Sequence, residues 1–288
     1  MKVYNDCIPC FARQGAEAAL AYAPDDSLLQ QEVMRTVLRI AAEADYQKSP
    51  PEIAVEYFRA IIKLTGEADP YAEAKRASNE AVMKLLPQLR KEVAESDRPL
   101  ETAVRMAIAG NIIDFGTPHG QKDNGLLDVI EHAVQSDMCL DAFAVFERRI
   151  EDAGLILYLG DNCGEAVLDR LLIEQLPAEK VVYVVRGKPI LNDITPVEVP
   201  QVGIDQICRV VDNGHDAPGV VIGECSTEFR ELFDGADMII SKGQGNFETL
   251  QDCGREIFFL MKVKCDVVAE ETGLPLGSIF FQHSEACG

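Results

Sequence analysis

Hydrophobic positions in the first half of the chain recur at the spacing of α-helices. Between residues 26 and 46 the apolar side chains fall on one helical face. Pro50 interrupts that pattern and opens a second one of the same kind, and Pro87 is expected to kink or end a later helix. Further helical patterns continue to about residue 152. The first half is therefore predicted to be helical.

The pattern changes at Gly154, where short apolar runs begin to alternate with helical segments. The runs have the length of strands and cover residues 155–159, 181–185, 219–222, 238–240 and 257–260. The helical segments between and after them include 165–176, 226–233 and 265–272. Such alternation predicts a layered α/β domain with a largely parallel sheet. We expect a helical domain over 1–150, whose early helices can pack on the sheet, and an α/β domain over 151–288.

The first apolar run of the second half ends in Asp161 and Asn162, directly before a helical pattern that starts at Glu165. A strand, a tight turn and a helix place these two side chains at the carboxyl edge of the sheet, where open α/β proteins build their sites. Their oxygens could bind a divalent cation, with a phosphate at the helix N-terminus. They could equally form an Asx turn that caps the helix.

Asp193 follows the second run, 181–185, as Asp161 follows the first. If the two strands are neighbours, both carboxylates lie at one edge. Together with Asn162 they would offer three oxygens to Mg²⁺ or Mn²⁺ and leave room for water and substrate. The alternative is that Asp193 lies in a solvated acidic loop, which is common in an acidic protein.

A third polar strand end follows the run 238–240. Here Lys242 precedes Gly243, Gly245 and Asn246. Glycines let backbone N–H groups approach an anion, and a lysine beside them supplies positive charge. The GxxxxGK[ST] pattern of a Walker A loop is not present. As the third polar strand end of one domain, this turn indicates an anion-binding site.

Composition and charge narrow the class of partner. With 288 residues, 47% of them hydrophobic, the chain is predicted to be globular. Its formal charge of -21 disfavours nucleic acid and anionic membrane surfaces as partners, so a phosphorylated substrate would need a metal or a local basic cluster.

No apolar run is long enough to span a membrane, and the N-terminus does not resemble a signal peptide. Nine scattered cysteines fit free thiols in a reducing cytoplasm. No oligomeric state is predicted.

Three further segments are open to more than one interpretation. Cys7 and Cys10 form a CxxC pair without the second pair of a zinc site or the βαβ context of a thioredoxin, so half-buried structural thiols are favoured over a metal or redox role. Residues 212–219 have the composition of a turn, favoured as a connection over a loop covering the site. Asn111 and Asp114 are three apart, on one helical face that could line a cleft.

Six motifs together carry a family resemblance. They are CIPC (7–10), GNIIDFG (110–116), GDNCGE (160–165), KPILND (188–193), DNGHDAPG (212–219) and SKGQGN (241–246). This set resembles the domain-of-unknown-function 89 family, also called damage-control phosphatases, and specifically its cysteine-containing prokaryotic branch. The resemblance implies an all-helical N-terminal domain beside a three-layer α/β/α sandwich. It also implies a metal-dependent phosphatase that hydrolyses phosphomonoesters of small metabolites, such as sugar phosphates or damaged phosphorylated cofactor intermediates.

The resemblance also assigns site residues. The metal triad carries over to Asp161, Asn162 and Asp193, for Mn²⁺, Co²⁺, Ni²⁺ or Mg²⁺. Asp161 and Lys242 are the catalytic candidates, and whether Asp161 is a metal ligand only or also the nucleophile stays open. The candidates for binding substrate or phosphate are Asn111, Asp114, Glu165, Lys242, Gly243, Gly245 and Asn246.

Two rival functions remain. Carboxyl methyl transfer has been proposed for a eukaryotic branch of the family, but no glycine-rich GxGxG loop follows the first predicted strand to hold adenosylmethionine. The other rival is a non-catalytic metal-binding or thiol-based regulatory module built on Cys7 and Cys10.

Overall fold

The structure is a computed structural model that describes residues 1–110 and 138–283, together with Leu127, Ile130 and Val134. Its helices are α1 Cys7–Tyr22, α2 Ser27–Ala42, α3 Pro50–Thr65, α4 Ala72–Glu95, α5 Pro99–Gly110, α6 Leu140–Asp152, α7 Glu165–Ile173, α8 Val199–Val202, α9 Thr227–Gly235, α10 Gln244–Leu250 and α11 Asp266–Thr272. Short 3-10 turns cover Ala178–Lys180, Ile204–Gln206 and Ile222–Glu224. Within these described residues, no helix is long and apolar enough to cross a membrane.

Six strands of the described residues form one sheet, and it is largely parallel as predicted. The strands are β1 Ile156–Leu159, β2 Val181–Val185, β3 Arg209–Asp212, β4 Met238–Lys242, β5 Phe258–Lys262 and β6 Ile279–His283. Their order across the sheet is β3-β2-β1-β4-β5-β6. Strands β1 to β5 pair in parallel, and β6 pairs antiparallel with β5.

The strand order creates a crevice at the carboxyl ends of β1 and β4. From β1 the chain builds outwards through β2 to β3, and it then crosses back to place β4 on the other side of β1. The connections after β1 and β4 therefore leave the sheet in opposite directions. Ligands of open α/β sheets bind at such a switch point.

Helices cover both faces of the sheet, which gives the three layers implied by the family resemblance. One hydrophobic cluster joins α4, α5, α6 and α7 to alternate strand residues, among them Tyr158 and Ile240. The other joins α1, α2, α3, α9, α10 and α11 to the opposite face, including Leu157 and Ile239. Strand side chains alternate between the two faces, so each strand contributes to both cores. Each cluster contains residues from both sides of position 150 in the sequence. A division of the chain into two domains at this position stays a prediction.

One local prediction was wrong, and a second was wrong in part. Residues 219–222 do not form a strand: the N–H of Val220 donates to Oγ1 of Thr249 at 3.1 Å, and a 3-10 turn follows. The strand beside β2 is instead β3, a half-exposed edge strand that lacks a clear apolar run. Pro87 does not end its helix: α4 continues to Glu95, because its apolar face stays packed on the core while Pro87 itself is exposed.

One carboxylate is buried within the second hydrophobic cluster. Glu248 on α10 is 8% exposed, and Nε2 of Gln244 donates to its Oε1 at 2.8 Å. Burial raises the pKa of Glu248 to about 7, although the hydrogen bond from Gln244 and the charge of the N-terminus act in the opposite direction. The charged form of this side chain therefore destabilises the fold.

Replacing Glu248 with glutamine should stabilise the protein increasingly as the pH rises. The folded pKa of about 7 lies above the usual value of 4.5, so the wild-type carboxyl loses stability as it ionises, whereas glutamine keeps its neutral shape. The stability difference should grow by about 2 kcal/mol between pH 5.5 and 8.5 in urea unfolding. Glu231→Gln, on the exposed face of α9, is the matched control. A pH-independent difference would contradict the assignment.

Candidate active site

The structure brings the three predicted metal ligands together at the switch point. The segment after β1 and the loop after β2 are joined by an isolated antiparallel bridge between Asn162 and Asp193. The N–H of Cys163 donates to the carbonyl of Asn192 at 2.8 Å, and the N–H of Ile194 donates to the carbonyl of Asp161 at 2.9 Å. These backbone bonds fix the positions from which the two carboxylates and the amide project.

The loop that carries Asp193 contains a strained residue. Leu191 has a φ of 45°, and no other non-glycine residue in the described parts of the chain has a positive φ. The left-handed conformation costs a side chain such as leucine roughly 1–2 kcal/mol. Strained residues of this kind cluster at functional sites. Here the strained turn lies two residues before Asp193, where the loop folds back towards Asn162.

Arg186, which the sequence reasoning did not select, links the carboxylates of the site. It follows β2 directly and is 2% exposed. Its Nε donates to Oδ2 of Asp193 at 2.7 Å, and its Nη2 contacts Oδ1 of Asp161 at 3.4 Å and donates to Oδ1 of Asn246 at 2.9 Å. One guanidinium thus connects the ends of β1 and β2 to the first turn of α10.

The side-chain amide of Asn162 has a defined orientation. Its Nδ2 donates to Oδ2 of Asp161 and to Oε1 of Glu165, both at 2.7 Å. Turning the amide over would place its oxygen against two carboxylates, so these bonds determine the assignment of nitrogen and oxygen. The carbonyl oxygen Oδ1 therefore lies on the side of the amide away from both carboxylates, and the amide would have to turn to place this oxygen beside a cation held by Asp161.

The carboxylates of the site repel one another. Burial raises the pKa of Asp161 well above its usual value, and the charges of Glu165 and Asp193 raise it further, against the opposing effect of Arg186. Burial also raises the pKa of Asp193, although the Arg186 guanidinium partly offsets this. Both shifts arise because negative charge is concentrated away from water.

A second set of buried charges lies beneath the first, on the face of the sheet covered by α7. Lys242 is fully buried, and its Nζ contacts Oε2 of Glu165 at 3.2 Å and Oδ1 of Asp169 at 2.8 Å. Burial lowers the pKa of the lysine, but these two carboxylates more than offset it, so the pKa is raised overall. The ammonium group that was predicted to bind phosphate is thus engaged by two carboxylates of α7.

Asp169, also not selected from the sequence, anchors this lower set. Its Oδ1 accepts from the hydroxyl of Tyr158 at 2.7 Å, and its Oδ2 accepts from the hydroxyl of Tyr183 at 2.9 Å. Tyr158 and Tyr183 are paired residues of β1 and β2 and point to the α7 side of the sheet. Asp169 lies one helical turn after Glu165, so both carboxylates face the sheet.

The glycine-rich turn after β4 fits closely around the other site residues. Gly243 has a φ of 79°, and a Cβ on it would collide with Oδ2 of Asp161, so no other residue fits there. Its N–H donates to the carbonyl of Leu260 at 3.2 Å. A Cβ on Gly245 would collide with the carbonyl oxygen of Pro218. Asn246 is fully buried, and its Nδ2 donates to the carbonyls of Lys242 and Gly160 at 2.8 and 3.3 Å.

Two of the predicted residues, Asn111 and Asp114, lie outside the described residues. The described chain ends, on their N-terminal side, with Gly110 at the end of α5. A Cβ on Gly110 would lie 3.0 Å from Cα of Glu165. The start of the GNIIDFG motif therefore packs closely against the first residue of α7.

The loop 212–219 connects β3 to the rest of the carboxyl edge. The N–H of Gly187 donates to the carbonyl of His215 at 2.9 Å and to Oδ1 of Asn213 at 3.0 Å. Arg59 on α3 donates from Nε to Oδ2 of Asp216 at 3.0 Å. With Pro218 against Gly245, the loop joins β2, α3 and α10.

The CxxC pair lies at the start of α1. Cys7 is buried and Cys10 is half-buried, and neither forms a disulfide. The backbone N–H of Tyr4 donates to Sγ of Cys7 at 3.4 Å. Burial raises the pKa of Cys7, and the nearby Glu248, Cys265 and Cys10 raise it further.

Across the described part of the chain, no three histidine, cysteine, aspartate or glutamate side chains are arranged to hold one metal ion. The set at the switch point differs because it combines two carboxylates with an amide.

Replacing Lys242 with methionine should destabilise the fold, because Glu165 and Asp169 would be left buried without their cation. Breaking a buried ion pair in this way costs about 3–5 kcal/mol, which urea unfolding would measure. Lys84→Met, at an exposed lysine of α4, is the matched control and should change stability little. If Lys242→Met kept its stability and lost only phosphatase activity, the ammonium would act on the substrate instead.

Comparisons with known proteins identify the family of this chain. The family model of the damage-control phosphatase ARMT1-like domain matches residues 3–279. A damage-control phosphatase of Pyrococcus horikoshii is 33% identical over 97% of both chains, and one of Archaeoglobus fulgidus is 32% identical over 97% of this chain and 98% of its own. The crystal structure of a DUF89 family protein of P. horikoshii superposes with a TM-score of 0.89 at 32% identity, over 99% of each chain. The resemblance seen in the motifs is confirmed, and the chain belongs to the damage-control phosphatase ARMT1-like domain family.

Proposed function

We propose that this phosphatase hydrolyses phosphomonoesters of small metabolites with a divalent cation held by Asp161, Asn162 and Asp193. The observation that carries the proposal is that the carboxylates of Asp161 and Asp193 and the side-chain amide of Asn162 lie together at the sheet's switch point. Arg186 contacts both carboxylates, and the amide nitrogen of Asn162 donates to Asp161 and Glu165, so Asn162 would turn its amide to offer the oxygen to a cation. Mg²⁺ and Mn²⁺ favour such oxygen donors.

The chemistry of the site fits a cation at this position. Burial raises the pKa of Asp161, and the nearby charges of Glu165 and Asp193 raise it further. A divalent cation would favour the ionised form of each carboxylate. Gly243 leaves the space beside Oδ2 of Asp161 that any side chain would fill. The native metal is proposed to be Mn²⁺, Co²⁺, Ni²⁺ or Mg²⁺.

The protein's own residues would have distinct roles in hydrolysis. A bound cation supplies Lewis-acid chemistry by withdrawing charge from the phosphoryl oxygens. Asp161 and Asp193 hold it, and Asn162 adds the neutral ligand. Each carboxylate oxygen of Asp161 contacts a neighbour, Arg186 or Asn162, and these contacts are compatible with a role as ligand alone or as ligand and nucleophile. Glu165 and Asn246 support the site from α7 and α10.

Lys242 is proposed to support the site indirectly, through its contacts with Glu165 and Asp169. Its ammonium balances Glu165 and Asp169, and Glu165 in turn accepts the hydrogen bond that orients Asn162. Lys242 would therefore set the position of an amide ligand. The N–H of Gly243 is bonded to Leu260 and is not available to a phosphate in this arrangement. Gly245, in the first turn of α10, remains a candidate for phosphate contact.

The class of substrate follows from charge and from relatives. Two relatives of similar length carry the name damage-control phosphatase. A net charge of -21 disfavours nucleic acid and anionic membranes as partners. Small phosphorylated metabolites, such as sugar phosphates or damaged cofactor intermediates, are therefore the proposed substrates. A reducing cytoplasm is the proposed location, since the described cysteines are all free.

Substituting alanine for Asp161 or Asp193 should abolish metal-dependent phosphate release. Each change removes one of the proposed oxygen ligands and one of the two negative charges among the proposed ligands. We expect a fall of at least about 100-fold in kcat/KM, measured as phosphate released from a panel of sugar phosphates with Mg²⁺, Mn²⁺, Co²⁺ and Ni²⁺.

The matched control is Asp234→Ala, at an exposed aspartate of α9, which should keep wild-type activity. Thermal unfolding of each variant would confirm that it is folded. Full activity in a folded Asp161→Ala or Asp193→Ala variant would show that the site is elsewhere.

A further inference from the structure

One nitrogen of Arg186 has no hydrogen-bond partner among the described residues. Its side chain is 3% exposed, and two of its three nitrogens donate to Asp193, Asp161 and Asn246. The third, Nη1, donates to no residue that the structure describes. A guanidinium presents five N–H donors in a fixed fork, two of them on Nη1. Nη1 is therefore the part of this arginine that is available to a ligand.

The position of this nitrogen matters because the rest of the guanidinium is already in the site. Nε lies 2.7 Å from Oδ2 of Asp193, and Nη2 lies 3.4 Å from Oδ1 of Asp161. Both carboxylates are proposed metal ligands. A phosphoryl group bound to a cation between them would lie next to the same guanidinium.

The site also needs a positive charge that can reach the substrate. The ammonium of Lys242 is fully buried and is held by Glu165 and Asp169. Among the described residues that contact the proposed ligands, Arg186 is the cation with a donor to spare. Arginine suits the task because its planar fork matches the geometry of phosphate oxygens.

We propose that Arg186 is a catalytic residue, which donates from Nη1 to a non-bridging oxygen of the substrate's phosphoryl group. This role rests on the proposed function of the site as a metal-dependent phosphomonoesterase. Charge spreads over the non-bridging oxygens in the transition state, and a pre-positioned guanidinium stabilises it without having to reorganise. Its bonds to Asp193 and Asn246 hold the fork in place before the substrate arrives.

A purely structural role makes a different prediction. If Arg186 only neutralised Asp161 and Asp193, lysine would supply the same charge, and any lost activity would return at saturating metal. A contact with the phosphoryl group requires the fork itself. Lysine cannot keep two carboxylate contacts and also reach a third oxygen with the same geometry.

The test compares wild type, Arg186→Lys and Arg186→Gln in three measurements. Calorimetry gives the affinity for Mn²⁺, orthovanadate binding to the Mn²⁺-loaded protein reports recognition of the phosphoryl group, and p-nitrophenyl phosphate gives kcat at saturating Mn²⁺. For Arg186→Lys we expect Mn²⁺ affinity within about threefold of wild type, vanadate affinity reduced at least about tenfold, and kcat reduced about 100- to 1000-fold. Arg186→Gln should lose as much or more.

Arg209→Lys, at an exposed arginine of β3 that pairs with Glu228, is the control and should match wild type in all three measurements. The role of Arg186 is overturned if folded Arg186→Lys keeps vanadate affinity and kcat at saturating Mn²⁺, since the arginine is then only a counter-charge. A wild-type protein that binds no Mn²⁺ and releases no phosphate would overturn the proposed function and this role with it.

Discussion

Repulsion between buried carboxylates is the constraint on which this site depends. Asp161, Glu165, Asp169 and Asp193 all lie within the carboxyl edge of one sheet, each less than a tenth exposed. In water their charges would be screened, but here each must be balanced by a specific partner. Arg186 contacts the upper pair, Asp161 and Asp193, and Lys242 contacts the lower pair, Glu165 and Asp169. Much of the surrounding structure serves to hold these six groups in place.

Hydrogen bonds connect the two sets of charges. Asn162 donates to Asp161 above and to Glu165 below, and Asn246 connects Arg186 to the ends of β1 and β4. The tyrosines that hold Asp169 are themselves residues of β1 and β2. The geometry of the proposed metal ligands therefore depends on packing that reaches through the sheet to α7. The close contacts of glycines around the crevice, such as that of Gly243 with Asp161, are part of this packing, because a side chain at Gly243 would displace Asp161.

The residues at strand ends were predictable, because the carboxyl ends of parallel strands meet at one edge whatever the details of the loops. Asp161, Asn162 and Asp193 are brought together for this reason. Arg186 and Asp169 were missed because charged residues next to a strand or on a helix are usually solvated. The signal for Asp169 was its position one turn after Glu165, on the face otherwise occupied by apolar residues. The signal for Arg186 was its place directly after an entirely buried strand. The edge strand β3 was missed because half-exposed strands carry little hydrophobic pattern.

The most direct test of this account is the position of the cation. Crystals grown with Mn²⁺ and measured for anomalous scattering should show a peak within bonding distance of the carboxylates of Asp161 and Asp193 and of Oδ1 of Asn162. A peak found only at the thiols of Cys7 and Cys10, or no peak at the carboxyl ends of β1 and β2, would contradict it.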